Sequence, residues 1–173
     1  MTDTLILTPE AMAAPVIVNN VLYHETALVG SWIHEKMGVD IVGASGAAIP
    51  IAFGLVDPNS KSPNLSERLI AGCYFYNMVN LPDKKDIWLT AVMTEPSMQY
   101  RQAIKQVLAY PFGQLGLPRI SAEIDMRNTK SIRQAEIMGF QLEGRKRFMG
   151  VGGGDYGVFG LYPDNCPFWR DAQ

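Results

Sequence analysis

At 173 residues and 19.1 kDa, with 47% hydrophobic and 18% charged residues, the chain has the size and composition of one packed domain spanning 1–173. A net charge of −2 argues against a protein that captures nucleic acid electrostatically. No uncharged apolar run reaches the ~20 residues that span a bilayer, and no basic stretch leads into an apolar one at the start, so a cytoplasmic protein without nucleic-acid or membrane partners is expected.

Asp3 to Thr8 reads as a short strand closed by Pro9. From Val16 to Met37 the apolar residues Val18, Leu22, Leu28, Trp32 and Ile33 recur near helical spacing, with Pro15 suited to a first turn and Gly38 to a C-cap. His24 and His34 fall in this segment, are not the i, i+4 pair of a helical metal site, and read as single packed or surface histidines. Ala48 to Val56 is an apolar strand, and the Pro-, Asn- and Ser-rich loop after it leads to a second strand, Arg68 to Val79. That strand is apolar almost throughout and is expected to be central, antiparallel to its predecessor. It carries Cys73, read as a buried free thiol. Cys73 and Cys166 lie far apart, so neither a disulfide framework nor a metal site is expected.

Leu81 to Lys85 reads as a turn and Asp86 to Met93 as a third strand. Then the period changes to helical over Ser97 to Leu115, with Pro111 expected to kink the last turn. Arg119 to Met126 alternates as a strand. Asn128 to Met138 is a helix with Asn128 or Thr129 at its N-cap and Gly139 at its C-cap. Phe140 to Met149 and Asp155 to Tyr162 form a hairpin around Gly152-Gly153-Gly154, and the tail from Cys166 to Trp169 is expected to dock. The run Arg145-Lys146-Arg147 fits a solvated strand face or a phosphate contact equally.

Five segments in register carry a resemblance: Tyr110-Pro-Phe-Gly-Gln-Leu-Gly-Leu-Pro-Arg119-Ile120, Asn128-Thr-Lys-Ser131, Ile137-Met-Gly-Phe140, Glu143-Gly-Arg-Lys-Arg147, and Asp155 followed by Phe159 and Leu161. Together they resemble the GNAT superfamily, in particular its ribosomal-protein and small-amine N-acetyltransferase branch. The resemblance implies an α/β fold, with a mixed, mostly antiparallel sheet, two splayed central parallel strands and helices on both faces. It implies an N-acetyltransferase that moves an acetyl group from acetyl-CoA to an amine of a small molecule or protein. The pantetheine arm would lie between Asp86–Met93 and Arg119–Met126, a strand bulge would aim an N–H at the thioester carbonyl, and the pyrophosphate would meet the N-terminus of the Ser97 helix.

Cofactor contacts are then expected from Val92 and Met93 at the strand end, from Met98, Gln99, Arg101 and Gln102 at the helix start, and from Asn128 and Ser131. The last two serve equally well as helix caps. The family's phosphate loop carries two glycines, whereas Glu95-Pro-Ser-Met98-Gln99-Tyr100 has none. Arg101 would compensate as a side-chain phosphate ligand. Glu95 is the candidate general base, or a surface carboxylate favoured by the helix dipole; Tyr100 is the candidate acid for the leaving thiolate, or packing; Glu123 and Asp125 are further candidate bases. A non-catalytic protein that kept this scaffold and lost the cofactor is the alternative. The acceptor has no motif, and a homodimer through an edge strand is compatible with the pattern.

Overall fold

Asn19 and Asn20 redirect the chain where the apolar spacing predicts a helix. Both adopt positive φ, 50° and 67°, the conformation of a tight two-residue hairpin turn, which Asn tolerates better than most side chains. The computed structural model describes residues 15–38, 51–94 and 100–170. In it Val16–Val18 (β1) pairs antiparallel with Val21–Tyr23 (β2), and the helix α1 begins only at Thr26 and ends at Met37. The expectation of a helix from Val16, opened by Pro15, is therefore corrected. The four-residue spacing of Val18 and Leu22 fits either period, and the Asn pair decides. His24 lies between β2 and α1 rather than on the helix. Gly38 caps α1 in the left-handed conformation, its N–H donating to the His34 carbonyl at 2.7 Å.

The sheet continues with Ile51–Val56 (β3), a four-residue helix Leu65–Arg68 (α2), Leu69–Leu81 (β4) and Lys84–Met93 (β5). The turn is only Pro82-Asp83, since Leu81 pairs with Lys84; the two lysines belong to the strand. A bulge at Asn77, with φ 48°, places two β4 residues opposite one of β5. The helix α3, Arg101–Leu108, passes into a wide π-type turn over Ala109–Gln114. Pro111 sits in this turn, where its missing N–H costs no α-helical bond, and Leu115 donates to the Tyr110 carbonyl at 3.0 Å. Ile120–Asp125 (β6), Thr129–Met138 (α4), Gln141–Lys146 (β7), Tyr156–Leu161 (β8) and Pro167–Arg170 (α5) complete the chain order. The expected strand over Asp3–Thr8 lies outside the described residues.

The eight strands lie in the order β1-β2-β3-β4-β5-β6-β8-β7, antiparallel except for β5 beside β6. Helices cover both faces. On one, Val29 and Ile33 of α1 press onto β3 and β4 at the cross-strand pair Gly54↔Gly72. A Cβ on Gly72 would lie 3.0 Å from Ile33, and one on Gly54 2.5 Å from Leu69, so these glycines set how close the helix comes. On the other face α3, α4 and α5 close over Phe53, Phe75, Leu89, Ile120 and Phe159. The tail docks as expected: Cys166 and Phe168 are buried, and Gly139, with φ 97°, turns so close under the Asn165 carbonyl that any side chain would collide.

Candidate functional site

The site is built by two parallel strands that touch at one place. Among the described residues the register pair between β5 and β6 is Trp88↔Ser121, after which both strands run on without pairing to each other. Each is instead laddered on its outer side, β5 to β4 through Met93 and β6 to β8 through Asp125. Backbone polar groups alternate sides along a strand. Thr94 donates to the Ile70 carbonyl on β4 at 2.9 Å, so the N–H groups of Ala91 and Met93 face the gap. Met126 donates to the Asp155 carbonyl at 2.9 Å, so the N–H groups of Glu123 and Asp125 face it from the other side. The result is a wedge whose walls offer unladdered backbone groups to an extended polar chain.

A polar node holds the narrow end. Ser121 donates to Asp86 Oδ2 at 2.7 Å, and Arg119 Nε donates to Ser121 Oγ at 3.0 Å. The Arg119 fork reaches both oxygens of Glu143, at 2.9 and 2.6 Å, and the Tyr162 hydroxyl at 2.8 Å. The guanidinium holds the Glu143 carboxyl below its ordinary range, and the Glu143 carboxylate raises Arg119 in turn. β5, β6, β7 and the end of β8 are thereby tied at the one level where the parallel strands meet.

The expected bulge at the end of β5 is not found through Met93, because the register with β4 is unbroken from Trp88 onward; the bulge sits on β4, lower down. Val92 points to the α1 face, and Met93 to the α3 face. Tyr100 occupies the N-cap position of α3 and packs half-buried on the main core, while Gln102 is exposed in the first turn. Arg101 turns to the C-terminal segment: Nη2 donates to the Pro167 carbonyl at 2.9 Å, and the guanidinium lies 5.2 Å from the Phe168 ring centre. Asn128 caps α4, its Oδ1 accepting from the Ser131 N–H at 3.0 Å. Glu95, Met98 and Gln99 lie outside the described residues.

Glu123 and Asp125 are each paired. Lys146 binds Glu123 and lies 5.4 Å from the Trp88 ring centre, and Arg127 grips Asp125 at 2.7 Å, drawing that carboxyl down to about 2. Both carboxylates are thus engaged by a cation, and Asp125, held that low, is a poor proton acceptor near neutrality.

An apolar cavity of ≈ 70 Å³ lies between the sheet and α3, at residues that no motif marks. Ala71, Cys73 and Phe75 of β4 and Leu89, Ala91 and Met93 of β5 form its floor; Ala103, Ile104 and Val107 form its roof. The small residues Ala71 and Cys73, two apart on β4, and Ala91 between Leu89 and Met93 on β5 were the available signal. These walls push the Cys73 thiol up to about 12.

No family model and no curated protein matches the chain. Solved structures do. The ribosomal-protein-S5-alanine acetyltransferase of Vibrio fischeri superposes with a TM-score of 0.59 at 14% identity, over 88% of this chain and 98% of that one. RimJ of Mycobacterium smegmatis, in complex with CoA-disulfide, gives 0.57 at 14% identity, over 89% and 88%. The spermidine/spermine N-acetyltransferase SpeG of Vibrio cholerae gives 0.54 at 14% identity, over 80% and 80%. The chain has the GNAT acyltransferase fold.

Proposed function

We propose that the protein is a CoA-dependent N-acyltransferase that moves an acetyl group from acetyl-CoA to an amine of a small molecule or protein. The observation that carries this reading is the wedge between β5 and β6, with the N–H groups of Ala91 and Met93 facing that of Glu123 across it. An extended pantetheine arm, with its amides, matches such walls as a strand would. The amine nitrogen forms a bond to the thioester carbonyl carbon, and the charge that develops on oxygen is met by a wedge N–H. The C–S bond then breaks, and the CoA thiolate takes up the proton that the amine releases. Glu95 as base and Tyr100 as acid belong to this proposal, as do diphosphate contacts from Met98, Gln99, Gln102 and the first turn of α3, with Asn128 and Ser131 beside them. Reaction at the N-terminus of α3 is a matter of positioning more than of strong acid–base chemistry. A cytoplasmic location is part of the same proposal and rests on composition.

One observation favours the second reading, a scaffold without cofactor. Arg101, the expected phosphate ligand, is bonded to Pro167 and stacked on Phe168. Titration calorimetry with acetyl-CoA separates the two: saturable binding supports the acyltransferase, and no heat at millimolar cofactor overturns it in favour of the scaffold.

A further inference from the structure

The cavity under α3 shares Ala91 and Met93 with the wall of the wedge. Leu89 is buried, Ala91 two residues further on is exposed, and both line the cavity. The mouth therefore lies at Ala91, whose backbone faces the wedge. From there the space runs beneath α3 between small residues, Ala71, Cys73 and Ala103, that leave room under Ile104 and Val107. No side chain lining it bears nitrogen or oxygen. Such a lining rejects an ammonium group, because nothing in it replaces the water that the group would lose. The acceptor amine is thus excluded as its occupant, and an apolar tail is favoured. A water needs about 10–15 Å³ of such volume, so ≈ 70 Å³ takes roughly five water-sized groups, as in an acyl chain of about four to six carbons.

We infer that the donor site takes short-chain acyl-CoA thioesters as well as acetyl-CoA, with the acyl tail threaded past Ala91 into the cavity beneath α3. The inference rests on the reading of the wedge as a CoA thioester site and extends it to the acyl group. The bond changes are the same for any chain length: N–C forms, C–S breaks, and the thiolate takes the proton given up by the amine. The tail contributes binding alone, by leaving water for an apolar lining.

Calorimetry with CoA and its acetyl, butyryl, hexanoyl and dodecanoyl thioesters tests this on the intact chain. Affinity is expected to rise about fourfold per added methylene and to stop rising near six carbons. Cys73→Leu and Val107→Phe, each filling the cavity from a different wall, are expected to erase that gain; thermal unfolding confirms that each folds, and the chain-length series on the unaltered protein stands without them. Equal affinity for acetyl- and hexanoyl-CoA, or a gain that survives both substitutions in folded protein, overturns the inference and leaves the proposed activity standing. Failure of CoA and every thioester to bind overturns both.

Discussion

Cys73 shows how a residue's chemistry follows from its walls. Its thiol, raised to about 12 by an apolar lining, is almost wholly protonated at neutral pH and is a poor nucleophile. Iodoacetamide at pH 8 is expected to modify Cys73 about three orders of magnitude more slowly in the native protein than after unfolding in guanidinium. Mass spectrometry of the alkylated peptide reads this, and equal rates would mean that water reaches the thiol. The linkage has a definite sign. A group whose pKa is raised on folding favours the folded state below its unfolded value, and this contribution is lost as pH climbs from about 8.5 toward 12. Asn128 illustrates the opposite case, a residue whose observed role is local and made by one atom. Its Oδ1 caps Ser131, so Asn128→Ala is expected to cost about 1 kcal/mol in urea denaturation. Asn128→Asp, which keeps an acceptor, restores most of that loss, whereas weaker acetyl-CoA binding in Asn128→Asp would separate a cofactor contact from the cap.

At the scale of elements, the β1–β2 hairpin owes its existence to a turn and its place to a helix. Asn19 and Asn20 set the turn, and Gln106 of α3 ties it down, accepting from Asn19 Nδ2 at 2.8 Å and donating to the Val18 carbonyl at 3.1 Å. A β-branched side chain at positive φ is strained, so Asn20→Val is expected to lower stability by about 1–2 kcal/mol, and Asn20→Gly to leave it nearly unchanged. Chemical denaturation of the two variants checks the order. In the same way α3 ends in a π turn because Pro111 cannot continue an α-helical ladder, and the wide turn brings Phe112 against Trp169 of the tail, with ring centres 5.7 Å apart.

Across the whole molecule the wedge is held open by what ties its narrow end. Arg119 links β6 to β7 and the end of β8 through Glu143 and Tyr162, and it lies 3.6 Å from Asp86 Oδ1, a buried oxygen without a hydrogen-bond partner. Arg119→Met keeps the length of the side chain but strands two carboxylates. Because both ends of the pair are about a quarter exposed, the expected loss is about 2 kcal/mol, between the limits for surface and buried pairs. The pH dependence follows from Glu143, whose pKa is depressed: its contribution is present above the ordinary carboxylate range and is lost as pH falls through the depressed value. The gap in stability between variant and parent is therefore expected to narrow below about pH 4, read by denaturation at several pH values.

The sequence alone determined the order of the later elements, both caps of α4, the β7–β8 hairpin and the docked tail, because each rests on local chemistry: a capping side chain, a glycine that must turn, an alternating run. It also carried the GNAT resemblance, through five segments, and the fold agrees with it. Only the tertiary structure decided the rest. The hairpin at Asn19-Asn20 shares its apolar spacing with a helix, and the partner that settles it, Gln106, lies in a distant helix. The wedge lies between the two strands that the resemblance named, but the level at which they stop pairing, Trp88↔Ser121, is set by packing across elements. Arg101 reads as a phosphate ligand from its place at a helix start and proves to be bonded to Pro167, across 66 positions of chain. The cavity exists because Ala71, Ala91 and Ala103 come from three elements and meet, and its volume is a property of their packing rather than of any one of them.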